Sequence, residues 1–200
     1  MGTAILILAT KLSSARAVER QLRESIAKMK AAENMLKEHA YHDYLTGLPN
    51  RALLADRFQQ AMERSKRSTT PFAIVMIDLN NFKNINDLHG HASGDQVLVE
   101  IGKRLLQTVR ASDTVARMGG DEFVLVIEAL EDRRELARVG QKLIDMLSEI
   151  VTLDSGHVVS VGGSLGFAMY PEDGTSLESM LQVADQAMYN CKTSGMVPLF

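Results

Sequence analysis

The chain has 200 residues, 46% hydrophobic and 24% charged, with a net charge of -3. That leaves room for one well-buried domain of ~150 residues plus an appendage, and it excludes duplex nucleic acid as a partner, which needs a concentrated basic face. A single cysteine, Cys191, permits no internal disulfide and has no metal-ligand spacing around it, which suits a reducing cytosol and an inert thiol.

The first segment, TAILILAT at residues 3–10, is apolar but far short of the ~20 residues that span a bilayer. No basic residue precedes it, as a signal peptide would require, and position six is not the Ser or Thr of a myristoylation motif. We read residues 1–11 as a stub, the cytoplasmic end of a transmembrane helix whose remainder is missing from this chain; the competing reading is a short, locally packed apolar start. On the first reading the protein is cytoplasmic, on the cytoplasmic side of the inner membrane at full length, and touches membrane only through this partial helix. Residues 12–42 hold no proline or glycine and are rich in Ala, Leu, Lys, Arg and Glu, which predicts one long helix. Ala15, Leu22, Met29 and Leu36 fall at one heptad position and Val18, Ser25, Ala32 and His39 at the other. Despite the polar Ser25 and His39, this thin seam points to a parallel homodimer rather than a helix packed on its own domain.

DYLTGLPNR, residues 43–51, breaks that helix, and a new one starts at Arg51 and runs to about Arg67. An apolar strand follows at 72–79, then a short helix near 83–89 and a longer one from about Gly94 to Arg110, where Val97, Ile101, Leu105 and Val109 recur every four residues and bury a face. RMGGDEFVLVI, residues 117–127, reads as a hairpin. Gly119 and Gly120 both tolerate positive φ, as a two-residue primed turn requires, so residues 115–118 and 122–127 pair and the tip carries Asp121 and Glu122. Beyond it come a helix near 132–150, a strand pair around 157–170, and a last helix striped by Leu177, Leu181, Ala184 and Met188, with Met180 and Met188 as core filler. A hairpin among alternating strands and helices makes the sheet mixed.

Asp78 ends the strand AIVMID. If that strand lies beside the hairpin, Asp78 meets Asp121 or Glu122 at one rim of the sheet. Acids at close range repel unless a hard cation sits between them, and Mg²⁺ held by one or two carboxylates takes its other ligands from substrate phosphates. Lys83 and Lys192, near helix ends, can neutralise phosphate oxygens, and a helical turn near Asn80 to Lys83 adds backbone N–H donors. The pattern points to phosphoryl chemistry.

These residues resemble a known family. GGDEF at 119–123 is similar to the signature of the GGDEF domain, the catalytic domain of diguanylate cyclases. DYLTGLPNR at 43–51, IDLNNFKNINDLHGHASGD at 77–95 and ADQAMYNCKTSG at 184–195 are similar to family blocks in the same order and spacing. The resemblance implies an α/β (α+β) fold over residues 43–200: a ferredoxin-like, nucleotidyl-cyclase-type domain whose central mixed sheet is flanked by helices, with the long helix of 12–42 before it as a signalling helix. It implies an enzyme that condenses two GTP into cyclic di-GMP and two pyrophosphates across a homodimer, with Mg²⁺ or Mn²⁺. Carried over by position, Asp78, the main-chain carbonyl of Leu79 and Asp121 hold metal, and Glu122 binds metal or helps deprotonate the ribose 3′-hydroxyl. Asn86 and Asp95 read guanine; Phe82, Lys83 and Lys192 contact GTP. RASD at 110–113 stands where family members carry the inhibitory RxxD motif, so Arg110 and Asp113 bind product and feed back on activity. Met196 and Val197 replace a basic residue and Asn that the family usually has, which removes a phosphate contact. That departure supports an alternative: an inactive domain acting as a receptor for GTP or cyclic di-GMP.

Overall fold

The computed structural model describes residues 19–30 and 40–194. The apolar stub, the heptad residues Ala15, Val18, Ala32, Leu36 and His39, and the departure at Met196 and Val197 lie outside the described residues. Residues 19–30 form helix α1, with i,i+4 ion pairs Arg20–Glu24 and Glu19–Arg23 on its surface and Leu22, Ile26 and Met29 exposed. No helix among the described residues is long and apolar enough to cross a membrane.

From residue 41 onward the chain forms its own compact unit. Its elements run α2 (Arg51–Ser68), β1 (Phe72–Asn80), α3 (Phe82–His89), α4 (His91–Thr108), β2 (Thr114–Gly119), β3 (Glu122–Ile127), α5 (Arg133–Leu147), β4 (Val151–Thr152), β5 (Val158–Val159), β6 (Gly162–Tyr170) and α6 (Leu177–Ser194). Local chemistry sets the boundaries. Asn50 caps α2 by accepting from the Ala52 and Leu53 N–H groups, and Asp132 caps α5 through the Glu135 N–H, each satisfying donors that a helix start leaves orphaned.

Four strands form the main sheet in the order β2-β3-β1-β6, and β1–β3, β1–β6 and β2–β3 all pair antiparallel. The expected mixed sheet is therefore corrected to an antiparallel one. β1 and β2 do run the same way, but β3 folds back between them, so no two parallel strands become neighbours. With α3–α4 linking β1 to β2 and α5 linking β3 to β6, the result is the βαββαβ ferredoxin-like arrangement.

Both faces of the sheet are covered, as the apolar runs require. Ala73, Val75, Ile77 and Leu79 of β1 share one core with Phe123, Leu125, Leu165 and Phe167 and with Val97, Ile101 and Leu105 of α4 and Leu136 and Leu143 of α5. Phe72 and Ile74 face the other way, among Leu54, Phe58, Val124, Val126, Ala168, Met180 and Ala184. This two-residue alternation doubles the apolar area one strand can bury. Gly166 makes the second layer possible: a Cβ there would stand 1.9 Å from the Ala184 carbonyl oxygen of α6.

Three further sequence expectations are revised. α4 begins at His91 rather than Gly94, because Gly90 separates it from α3. It ends at Thr108 rather than Arg110, since Val109 is extended and the Arg110 N–H goes to Asp113 Oδ2 at 2.9 Å. Residues 157–170 are not a strand pair: β5 pairs back to β4 across a turn at Gly156, while β6 is a single strand on β1.

Candidate active site

Asp78 sits where β1 runs out of its apolar sequence, and the register sets it directly opposite Glu122 on β3 and Ser164 on β6. The β2–β3 hairpin is tighter than the sequence suggests. Gly119 pairs with Glu122 after a register shift beyond Arg117, so the tip residues are Gly120 and Asp121 rather than Gly119 and Gly120. Gly120 has φ +54°, which a residue without a Cβ adopts at no steric cost. The Asp121 carbonyl accepts from the Leu79 N–H at 3.3 Å, which folds the tip onto the end of β1. The Leu79 side chain itself is buried in the core.

Arg117 pins this tip from below. It is 8% exposed, donates through Nε (3.1 Å) and Nη2 (2.8 Å) to the Gly120 carbonyl, and pairs through Nη1 with Asp43 Oδ1 at 2.9 Å. Asp43 also accepts from the Thr46 N–H and hydroxyl. Burial opposes the charge on Asp43, but the two Thr46 bonds and the Arg117 guanidinium outweigh it and hold the carboxyl below its ordinary value. DYLTGLPNR is thus a brace for the acidic tip, a role its position in the sequence does not reveal.

The acids form an electrostatic cluster. Burial, and then the charges of Asp78, Asp121 and Asp185, push the Glu122 carboxyl above its usual value, with Lys192 offsetting part of the effect. Asp185, on α6, was not singled out from the sequence; the only signal was its place in the stretch ADQAMYNCKTSG. Lys192, two turns further along the same face of α6, donates from Nζ to Asp78 Oδ1 at 2.5 Å. Among the described residues no three carboxylate, histidine or thiol side chains converge into a closed metal cage. Hard carboxylate oxygens on a strand end and a hairpin tip instead fit a Mg²⁺-type ion that draws its remaining ligands from main chain, water and phosphate.

α3 and α4 cross at Gly94, where a Cβ would stand 1.9 Å from Asn86 Oδ1 and 3.1 Å from Phe82 Cζ. The missing side chain lets the half-buried Asn86 amide lie against α4 beside the exposed Asp95, while Phe82 is buried beneath and takes its place in the core rather than on the surface. Lys83 is exposed on the first turn of α3. No side chain caps that turn, since Asn81 adopts φ +60° without a capping bond; the Asn84 and Ile85 N–H groups go to the Asn81 carbonyl, which leaves those of Phe82 and Lys83 as the donors open to an anion.

Arg110 and Asp113 come together away from these acids. Asp113 accepts from the Arg110 N–H through Oδ2 and from the Glu128 N–H through Oδ1, while the Arg110 guanidinium, on a side chain 65% exposed, pairs with Glu135 at 2.9 Å. A groove of about 620 Å³ opens beside the turn, lined by His42, Arg57, Arg64, Leu106, Asp113 and Glu128 among others.

A ferredoxin-like sheet whose strand-end Asp78 faces Glu122 beside an acidic hairpin tip, with Lys192 on Asp78, is the frame of a nucleotidyl-cyclase-type domain. The comparisons assign the family. The model of the family described as diguanylate cyclase, GGDEF domain, matches residues 40–197, and this chain belongs to that family. It is 44% identical over 164 residues to the bifunctional diguanylate cyclase/cyclic di-GMP phosphodiesterase MucR of Pseudomonas aeruginosa, covering 82% of this chain and 24% of that protein. It is 37% identical over 166 residues to the diguanylate cyclase TpbB of the same species, covering 83% of this chain and 38% of that one. The crystal structure of the coiled coil and GGDEF domain of DgcB from Caulobacter crescentus, in complex with cyclic di-GMP, superposes with a TM-score of 0.75 at 26% identity, covering 89% of this chain and 95% of that one. The chain thus spans well under half the length of these two curated relatives.

Proposed function

We propose that this chain is a diguanylate cyclase, joining two GTP into cyclic di-GMP with release of two pyrophosphates, and that two copies facing each other across a two-fold axis make the active unit. The observation that carries the reading is the cross-strand placement of Asp78 against Glu122 with Asp121 at the adjoining tip. Residues 43–200 are the catalytic domain, and the segment 12–42 pairs the two copies.

Asp78, Asp121 and the Leu79 carbonyl hold the ion, Mg²⁺ or Mn²⁺, with Glu122 beside them. When bound, such an ion neutralises charge on the α-phosphate and the departing pyrophosphate. Glu122, its carboxyl held high by burial and by its acidic neighbours, receives the 3′-hydroxyl proton as the O3′–Pα bond forms. The bond from Pα to the bridging oxygen breaks, and its electron pair leaves with pyrophosphate. The same displacement with the two nucleotides exchanged closes the ring. Asn86 and Asp95 read guanine, an amide and a carboxylate matching its carbonyl and N–H edges. Lys83 and Lys192 balance the phosphates, and the uncapped turn of α3 adds main-chain donors. Phe82 supports this pocket from the core.

Arg110 and Asp113 form a product-binding site that feeds back on activity, with the adjoining groove as room for the ligand. Support comes from the exposure of the Arg110 guanidinium and from the DgcB complex with cyclic di-GMP. The test is incubation with GTP and Mg²⁺ and chromatography of the products. Cyclic di-GMP from the unmodified chain and at least ~100-fold less from Asp121→Ala is expected; equal product from both would refute the assigned site. Nucleotide binding without product would favour the receptor reading.

A further inference from the structure

Lys192 is expected to serve phosphate, yet its ammonium is bound to a carboxylate. Its ammonium lies 2.5 Å from Asp78 Oδ1, and the two side chains are 45% and 17% exposed. Asp78 stands opposite Glu122 across the β1–β3 ladder, with Asp121 at the adjoining tip, and Lys192 reaches Asp78 from the last turn of α6. A carboxylate cluster without a cation repels itself. The lysine therefore stands where charge compensation is needed, on one of the oxygens a divalent ion would use. Its attachment suits a movable counter-ion: it lies in the last turn of α6, on a flexible four-carbon stem with a point charge and no fixed bonding geometry.

Resting on the proposed metal and phosphate roles of this site, we propose that Lys192 is an internal surrogate cation that makes metal binding conditional on nucleotide. With the site empty it occupies Asp78 and weakens divalent-ion binding. When GTP arrives, its phosphates draw the ammonium away and free Asp78, so nucleotide and ion bind as a coupled pair. Such coupling is reciprocal: whatever factor the nucleotide adds to ion affinity, the ion adds to nucleotide affinity. It keeps the acids from being filled by an ion alone and aligns ion loading with the presence of substrate.

The test is Mn²⁺ binding, followed by the electron paramagnetic resonance signal of the free ion, with and without 3′-deoxy-GTP, which cannot supply the attacking hydroxyl. In the unmodified chain the nucleotide should tighten Mn²⁺ binding strongly. Lys192→Met should bind Mn²⁺ about ten-fold more tightly than the unmodified chain without nucleotide, and the enhancement by nucleotide should shrink. Lys192→Arg, which keeps the charge, should retain weak binding without nucleotide and much of the coupling. Unchanged or weaker Mn²⁺ binding by Lys192→Met would overturn the proposal while leaving the metal site standing, provided Asp121→Asn abolishes binding. Binding unaffected by Asp121→Asn, or absent throughout, would overturn the reading of the acids as well.

Discussion

An alanine at position 94 would set its Cβ 1.9 Å from Asn86 Oδ1, the end of a side chain that can swing away. Gly94→Ala is therefore expected to leave the domain folded, with a melting temperature within a few degrees of the unmodified protein, and to weaken GTP binding about ten-fold by moving the amide proposed to read guanine. Calorimetric titration with 3′-deoxy-GTP checks the second point and thermal denaturation the first. Arg117 behaves differently because it is buried and multiply bonded. Arg117→Ala leaves the Gly120 carbonyl and Asp43 without their cationic donor, and a loss of about 3 kcal/mol is expected in denaturant unfolding. Acid should weaken the same brace. The folded pKa of Asp43 is lowered, so its contribution is complete above its ordinary carboxylate value and is lost as pH falls through the lower folded one. The stability difference between the unmodified protein and Asp43→Asn should shrink over that acidic window, and a pH-independent difference would contradict the assignment.

Among elements, α6 packs on β6 at Gly166 with backbone against backbone. A Cβ would stand 1.9 Å from the Ala184 carbonyl oxygen and 2.6 Å from the Met188 nitrogen, and main chain cannot yield as the Asn86 amide can. Gly166→Ala should cost more than about 3 kcal/mol and separate α6 from the sheet. Because Lys192 and Asp185 ride on α6, hydrogen exchange in that helix and cyclase activity should fail together. Exchange confined to α6 while activity persists would show that the helix does not position those groups. The hairpin teaches a related lesson. Two adjacent glycines suggested a two-glycine tip, but the register shift between Arg117 and Gly119 moves the turn forward by one residue, so Gly120 and Asp121 form it.

For the whole molecule, the proposed reaction needs two nucleotides and each copy contributes one site, so turnover per chain should rise with protein concentration until the active pair saturates. Progress curves over a wide range of concentration measure this, and turnover per chain independent of concentration down to high dilution would contradict assembly during the assay. Much of this protein was legible before its fold was known. Apolar alternation in FAIVMIDLN, four-residue spacing in α4, and glycine and proline punctuation all act over a few residues, so they mark strands, helices and turns directly in the sequence. The motif blocks likewise single out Asp78, Asp121, Glu122, Asn86 and Asp95 as candidates. The antiparallel order of the sheet did not follow from the pattern, because local periodicity carries no information about which strand inserts between which. Nor did the brace or the counter-ion: Arg117 meets Asp43 across 74 residues, and Lys192 meets Asp78 across 114. Long charged side chains are ordinarily solvated, so nothing local sets these two apart. Only the closing of the sheet and the docking of α6 brought each beside the acid it serves.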